Sequence, residues 1–424
     1  MRCRSAKPGH AGPVQLAWRA RARRAWAASA LALATLALAS GAGTTADAQT
    51  FKVLYRFGPY PDGNSPAAGL LMDASGNLYG TTRYGGSHEG CPGKWQCGTV
   101  FKLDTNGVET VLYNFTGPDG SNPISNLVMD ANGDLYGTTE YGGDTKDCPG
   151  GPSYAGCGVV FKLSGGKETI LHRFTGGEDG GWPWAGLVMD ASGALYGTTN
   201  SGGFGGGVAF KLVGKKETVL HSFCSETNCA DGTYLTSDLI MDAEGNLYGT
   251  TAYGGDVNCD YPDGCGVVFK LTGKKETVLY SFKGSPDGAI PVAAVFMGAK
   301  GNLYGTTYAG GDINAGTVFE VSACGKERVL HRFQEYKRPR YGWFPSTSVV
   351  QDASGNLYGT TLGNVYEITV DGREKVLHIF CSWKDCADGA LPYGDLIMDA
   401  QGNLYGTAYG GGINSNGVVF MITP

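Results

Sequence analysis

What the chain is short of narrows it first. Of its 424 residues only 6 are histidine and 17% carry charge, and no long run of one sign occurs. That argues against an acidic or basic interaction tail. No nucleophile elbow, zinc-protease helix signature or phosphate-cradling loop is present, so the compact catalytic motifs are all missing. Long apolar runs are scarce as well. One covers residues 25–39 and is too short for a comfortable membrane span. Glycine, by contrast, is abundant at 70 residues but has no collagen-like period. It punctuates turns between short apolar segments, as in an all-β chain.

Residues 1–48 read as a secretory signal peptide. A basic stretch with Arg2, Arg4, Lys7, Arg19, Arg21, Arg23 and Arg24 precedes the apolar run, and Ala46-Asp47-Ala48 supplies small residues for cleavage. The mature domain is then residues 49–424, exported to a periplasmic or extracellular compartment, with no membrane span and no apolar tail for an anchor. Loss of the signal shifts the formal charge from −6 to about −12. An acidic surface disfavours nucleic acid and anionic membranes as partners. A monomer is expected.

Cysteine usage agrees with export. Ten of the eleven cysteines left after Cys3 departs with the signal form close pairs: Cys91/Cys97, Cys148/Cys157, Cys224/Cys229, Cys259/Cys265 and Cys381/Cys386. In an oxidising compartment such pairs staple loops as disulfides. Zinc is the rival, but the spacings lack the two-residue gap of zinc knuckles and no histidines lie nearby. Cys324 stands outside these pairs in sequence.

The dominant feature is a repeat. "DASGNLYGTT" at Asp73 returns in variant form at Asp130, Asp190, Asp242, Gly298, Asp352 and Asp399. Each copy joins three other strand-like pieces: an apolar segment before it such as "GLVMD", a "GVVFKL" piece and a "KETVLYSF" piece. Four strands at a period of 47 to 60 residues is the pattern of a β-propeller blade. The chain ends on a third strand, "GVVFMITP", with no fourth after it, while "FKVLYRF" at Phe51 is a fourth strand with no blade before it. The two complement each other. The expected fold is therefore a seven-bladed all-β propeller whose N-terminal strand completes the last blade and removes an exposed sheet edge.

The units "LVMDASGALYGTT", "GVVFKL" and "ETVLYSF" resemble the GloVer-type tandem repeat of bacterial choice-of-anchor proteins, over nearly all of the chain after residue 48. The resemblance implies exported, often surface-anchored propellers and supplies no catalytic residues. "DASGNLYG" alone is also similar to lactonase and streptogramin-lyase propellers.

Alternating strand directions sort the loops onto two faces. One face receives only the tight "DASGN" and "SGGK"-like turns. The other receives loops of up to about twenty residues, carrying all five cysteine pairs and all five tryptophans of the mature chain. Trp95, Trp182, Trp184, Trp343 and Trp383 are therefore candidate ligand contacts, against the alternative that some merely pack beneath long loops. Arg340 and Tyr341 join them from "QEYKRPRYGWFPST", a basic and aromatic loop that stands where other copies have Asp-Gly. An acidic or glycan ligand would suit it.

Two acidic sets invite a cation and are read as structural. Asp73 and its equivalents offer oxygens, but calcium needs six to eight of them, and Asp, Gly and Asn together specify a hairpin turn. Gly298 replaces this Asp with no evident change elsewhere in its copy. The Asp-Gly dipeptides at Asp62, Asp119, Asp179, Asp231, Asp287 and Asp388 are turn formers as well. No cofactor is expected, calcium being the alternative. His172, His221, His331 and His378 share one position on the fourth strand, spread around the rim, where they cannot converge.

Three readings of function follow. The chain is a non-enzymatic exported propeller binding a glycan, peptide or surface partner; a propeller lyase or hydrolase on polysaccharide or lactone substrates; or a structural surface protein. An enzyme should gather acids or histidines at the channel mouth, and a binder should expose aromatics.

Overall fold

The structure is a computed structural model that describes residues 49–424 except 60, 88–90, 92–96, 144–147, 149–155 and 335–342. Residues 1–48, the expected signal peptide, lie outside the described residues. Seven antiparallel four-stranded sheets form the blades of a propeller, one per copy of the repeat. In the first blade the strands Leu71–Met72, Leu78–Thr82, Thr99–Leu103 and Glu109–Asn114 run in that order from the axis to the rim. In the last blade Ile397–Met398, Leu404–Ala408 and Val418–Thr423 are followed by Thr50–Arg56, the N-terminal strand. Thr50 lies opposite Thr423 and Arg56 opposite Val418. The ring closes as the sequence predicts. Among the described residues there is no α-helix, and no helix is long and apolar enough to cross a membrane.

Each part of the recurring ten residues has a structural role. Asp73 accepts hydrogen bonds from the backbone N–H groups of Ser75 and Asn77, the Asn77 amide and the Tyr79 hydroxyl. Burial alone would raise its carboxyl pKa, but these donors hold it below the usual carboxylate range. Gly76 takes φ +84°, a left-handed conformation that the tight turn requires. Leu78 is buried. Gly80 is small because the Phe101 ring lies across it; a Cβ there would sit 2.7 Å from Phe101 Cζ. The first threonine then reaches into the next blade, as when the Thr138 hydroxyl donates to the Ala185 carbonyl at 2.9 Å. The motif is a turn, a packing cradle and an inter-blade tie.

The same ties run across the closure. The Thr407 hydroxyl donates to the Ala68 carbonyl at 2.7 Å, joining the last blade to the first. An aromatic ladder accompanies it: a rim-strand phenylalanine of each blade meets a third-strand ring of the next, from Phe57 on Phe101 at 5.2 Å to Phe380 on Phe420 at 5.1 Å. These rings are almost all fully buried and form the core between blades.

Copy five departs from the rest in a compensated way. Gly298 removes the turn carboxylate, and Glu320 restores one from the third strand, where four other copies carry Lys102, Lys162, Lys211 and Lys270. The Glu320 carboxylate accepts from the Asn302 amide at 2.6 Å and the Tyr304 hydroxyl at 3.1 Å. The Gly298 substitution is thus not isolated. The carboxylate has moved across the hairpin, and Arg328, its cross-strand neighbour, pairs with it at 2.6 Å.

Candidate functional site

The rim is built from structural pairs. The Tyr55, Tyr113 and Tyr280 hydroxyls donate to Asp62, Asp119 and Asp287. His172, His221 and His378 lie 3.1 to 3.3 Å from Asp179, Asp231 and Asp388. The Asp-Gly aspartates thereby fasten each loop to the outermost strand, and their backbone N–H donors complete the cap, as at Asp231 with Ser225. Burial would raise Asp231, but His221 and the Ser225 hydroxyl lead the donors that bring it down to about 2. From the next blade a glutamate lies beside each of these pairs except His378 and Asp388. Glu109, Glu168, Glu276 and Glu327 are pushed up to about 7, chiefly by burial. At the closing junction Phe51 occupies this position and stacks on His378, centroids 3.5 Å apart. Among the described residues no group of three or more His, Cys, Asp or Glu side chains is placed to hold a metal.

On the loop-rich face every blade carries a residue in the left-handed region: Ser65, Asn122, Trp182, Tyr234, Ile290, Phe344 and Leu391, with φ from +53° to +65°. All but Tyr234 precede a proline. Such conformations cost about 1–3 kcal/mol each in side-chain-bearing residues and persist where the surroundings over-determine them. Here the N–H of the kinked residue bonds back to the preceding blade, at the Cys97, Cys157 and Cys265 carbonyls in three junctions. The kink turns the chain from the loop face toward the axis, so the residues two positions on line the channel.

All five expected disulfides are formed, and the three through Cys97, Cys157 and Cys265 anchor these junctions. The other two staple the shortest segments. Cys224–Cys229 and Cys381–Cys386 span only five positions each, and the segments Thr227–Cys229 and Lys384–Cys386 are single 3-10 turns within the otherwise all-β chain. Cys229 and Cys386 therefore clamp a tight turn at the rim. Both are in the left-handed region, at φ +51° and +52°, and their carbonyls accept the N–H groups of Gly255 and Gly412. The short bridge and the local turn go together, because so few intervening residues leave the chain no longer path.

The channel has two tiers. Ala67, Ile124, Trp184, Thr236, Val292, Ser346 and Tyr393 form the upper one, with Trp184 38% and Tyr393 39% exposed. Tyr409 packs edge-on to Tyr393 at 5.7 Å, and Arg83 completes the lip, paired with the buried Glu140 at 3.0 Å. Two residues deeper come Asn126, Asp238 and Asp395. Each accepts a backbone N–H of the preceding blade, from Gly69, Gly186 and Ser348 respectively. The Asn126 amide then spans the axis, donating to Asp238 at 2.7 Å and to Asp395 at 3.0 Å. Burial first, and the Asp395 charge second, push the Asp238 carboxyl up to about 6. The cavity enclosed is about 100 Å³.

The expected contact residues do not gather in one place. Trp184 stands at the channel mouth. Trp182 and Trp343 are partly buried, and neither indole N–H has a hydrogen-bond partner among the described residues. Trp383 is 44% exposed but meets Phe51 at the rim, at 5.8 Å. Trp95, Arg340 and Tyr341 lie outside the described residues. Sequence reading missed Asn126, Asp238 and Asp395, because the position before the apolar inner strand holds Gly69, Gly186, Ala294 and Ser348 in the other blades.

The fold is shared with solved propellers. Virginiamycin B lyase from Staphylococcus aureus is similar at TM-score 0.54 and 10% identity, covering 89% of this chain and 100% of that one. A streptogramin B lyase gives TM-score 0.53 at 13% identity, over 88% and 97% of the two chains. The extracellular domain of a hybrid two-component system from B. thetaiotaomicron gives TM-score 0.54 at 12% identity, over 88% of this chain and 40% of that one. At these identities the likeness is one of fold. No curated protein matches the sequence. The Gloeobacter/Verrucomicrobia repeat matches residues 40–150, 93–260 and 260–424, and the chain belongs to that family.

Proposed function

We propose that this is an exported ligand-binding propeller that takes its ligand, a glycan in the first instance, at the mouth of the central channel on the loop-rich face. The observation that carries the reading is the pair of exposed rings, Trp184 and Tyr393, set over a polar channel floor. Large aromatic rings left open to solvent at a concave, rigid site are the usual anchors of stacking ligands. Export is supported by the five disulfides. A second reading, a lyase or hydrolase, is favoured by one feature: two carboxylates share the channel, and one of them is shifted to about 6. Glycan-array binding, run beside a turnover assay on the glycans that bind, tests both. Binding without turnover supports the first reading, and turnover abolished by Asp238→Asn supports the second. No binding by any glycan defeats the glycan reading.

A further inference from the structure

Below the lip, the channel floor is short of positive charge. Asp238 and Asp395 each have one oxygen on the single Asn126 amide, and no ion pair to either aspartate occurs among the described residues. A neutral amide satisfies their hydrogen bonding without balancing two carboxylates. The nearest lip cation, Arg83, is already committed to Glu140. In the same cavity the Ser346 hydroxyl oxygen is buried with no hydrogen-bond partner among the described residues. These observations are independent: a carboxylate pair, a buried hydroxyl with no partner among the described residues, and exposed aromatic rings above them.

We propose that the cavity receives a primary ammonium group, carried by an amino sugar whose ring lies on Trp184 and Tyr393. The inference rests on the channel-mouth reading and narrows its ligand. An ammonium has three donors and no acceptor, which matches two carboxylates and one hydroxyl oxygen. Charge-assisted bonds of this kind are the strong ones, and the faces of Trp and Tyr attract cations as well. The cavity, at about 100 Å³, suits a small head group while the ring stays outside. An amine attached directly to a sugar ring fits this arrangement because lip and floor residues line one continuous cavity. The surplus of negative charge on the mature chain steers such a ligand inward.

The test is calorimetric titration of the mature chain, near neutral pH, with a glucosamine tetramer, its N-acetylated counterpart and a trilysine peptide. The glucosamine tetramer should bind at least ~10-fold more tightly than the acetylated one, since acetylation removes the charge. Asp395→Asn and Asp238→Asn, which keep side-chain shape, should each reduce that preference to below ~3-fold. Asp238→Asn is the variant expected to fold most readily, and circular dichroism checks both. Equal binding of the two tetramers overturns the ammonium site, and if Trp184→Ala then weakens both, the channel-mouth reading stands without it. Preference that survives both substitutions also overturns it, as does binding of trilysine in place of glucosamine. If neither tetramer binds, the ammonium site falls and the channel-mouth reading passes to the other glycans of the array.

Discussion

The displaced carboxylate of the fifth blade can be put back where the other copies have it. Glu320→Lys restores the residue of four other blades but removes the acceptor of the Asn302 amide and the Tyr304 hydroxyl. Hydrogen bonds to a charged partner contribute about 1.5–3 kcal/mol each, and this hairpin is partly exposed, so the low end applies. The mutation also sets a lysine directly opposite Arg328, a like-charge pair costing a further ~0.5 kcal/mol. The single change should therefore destabilise by about 3.5 kcal/mol. Gly298→Asp alone brings a second carboxylate to donors already held by Glu320 and crowds Tyr304, whose Cε2 lies 2.7 Å from the new Cβ. About 1–2 kcal/mol is expected from repulsion and overpacking. Position 298 has no positive φ, so aspartate meets no backbone strain there. Combined, with Arg328→Thr to relieve the remaining cation pair, the substitutions rebuild the arrangement seen at Asp242, Tyr248 and Lys270. Urea unfolding followed by circular dichroism should show the combination within about 1 kcal/mol of wild type, a coupling of at least ~3 kcal/mol. Strict additivity, within about 0.5 kcal/mol, would refute the claim that the turn aspartate acts through the tyrosine and asparagine.

Stability should depend on pH in a stated direction. Glu109, Glu168, Glu276 and Glu327 have folded pKa values raised to about 7, so their contribution is fully present below the unfolded glutamate value and is lost as pH rises through 7. The lowered Asp190 and Asp231, at about 2, act oppositely, and their contribution is lost only as pH falls toward 2. Melting temperature measured across buffers should be higher at about pH 5.5 than at about pH 8.5, and a flat profile contradicts the buried rim. Gly137→Ala places a Cβ 2.8 Å from Phe161 Cζ and should destabilise by about 1–3 kcal/mol in urea titration. Phe51→Ala should cost about 3 kcal/mol, because the ring packs on His378, Phe380, Trp383 and Phe420 at the closure. If it unfolds no earlier than wild type, the N-terminal strand is not what holds the last blade.

The scaffold was readable because it repeats. Each copy of the motif solves the same local problem, a turn at Asp73, a cradle at Gly80 and a tie at Thr81, so identical residues recur and the unmatched strand at Phe51 identifies the closure. The lip was partly readable: Trp184 stood out as one of five tryptophans on the variable face. The floor was not. Asn126 and Asp238 are 112 residues apart, and Asn126 and Asp395 are 269 apart. Only closure of the ring brings them to one point, and each one alone is a single polar residue ahead of an apolar strand. The inner strands are also shorter than the apolar segments suggest, two residues each, because the chain before them is bent by the left-handed kink.

The proposed ligand site is the channel mouth, while the rim residues serve the fold. The most direct measurement compares Trp184→Ala with Trp383→Ala against the glycan that binds wild type most tightly, by calorimetric titration of the folded chains. Loss of at least ~10-fold in affinity from Trp184→Ala, with Trp383→Ala within ~2-fold of wild type, is the predicted result. The reverse order would put the ligand on the rim and contradict the account.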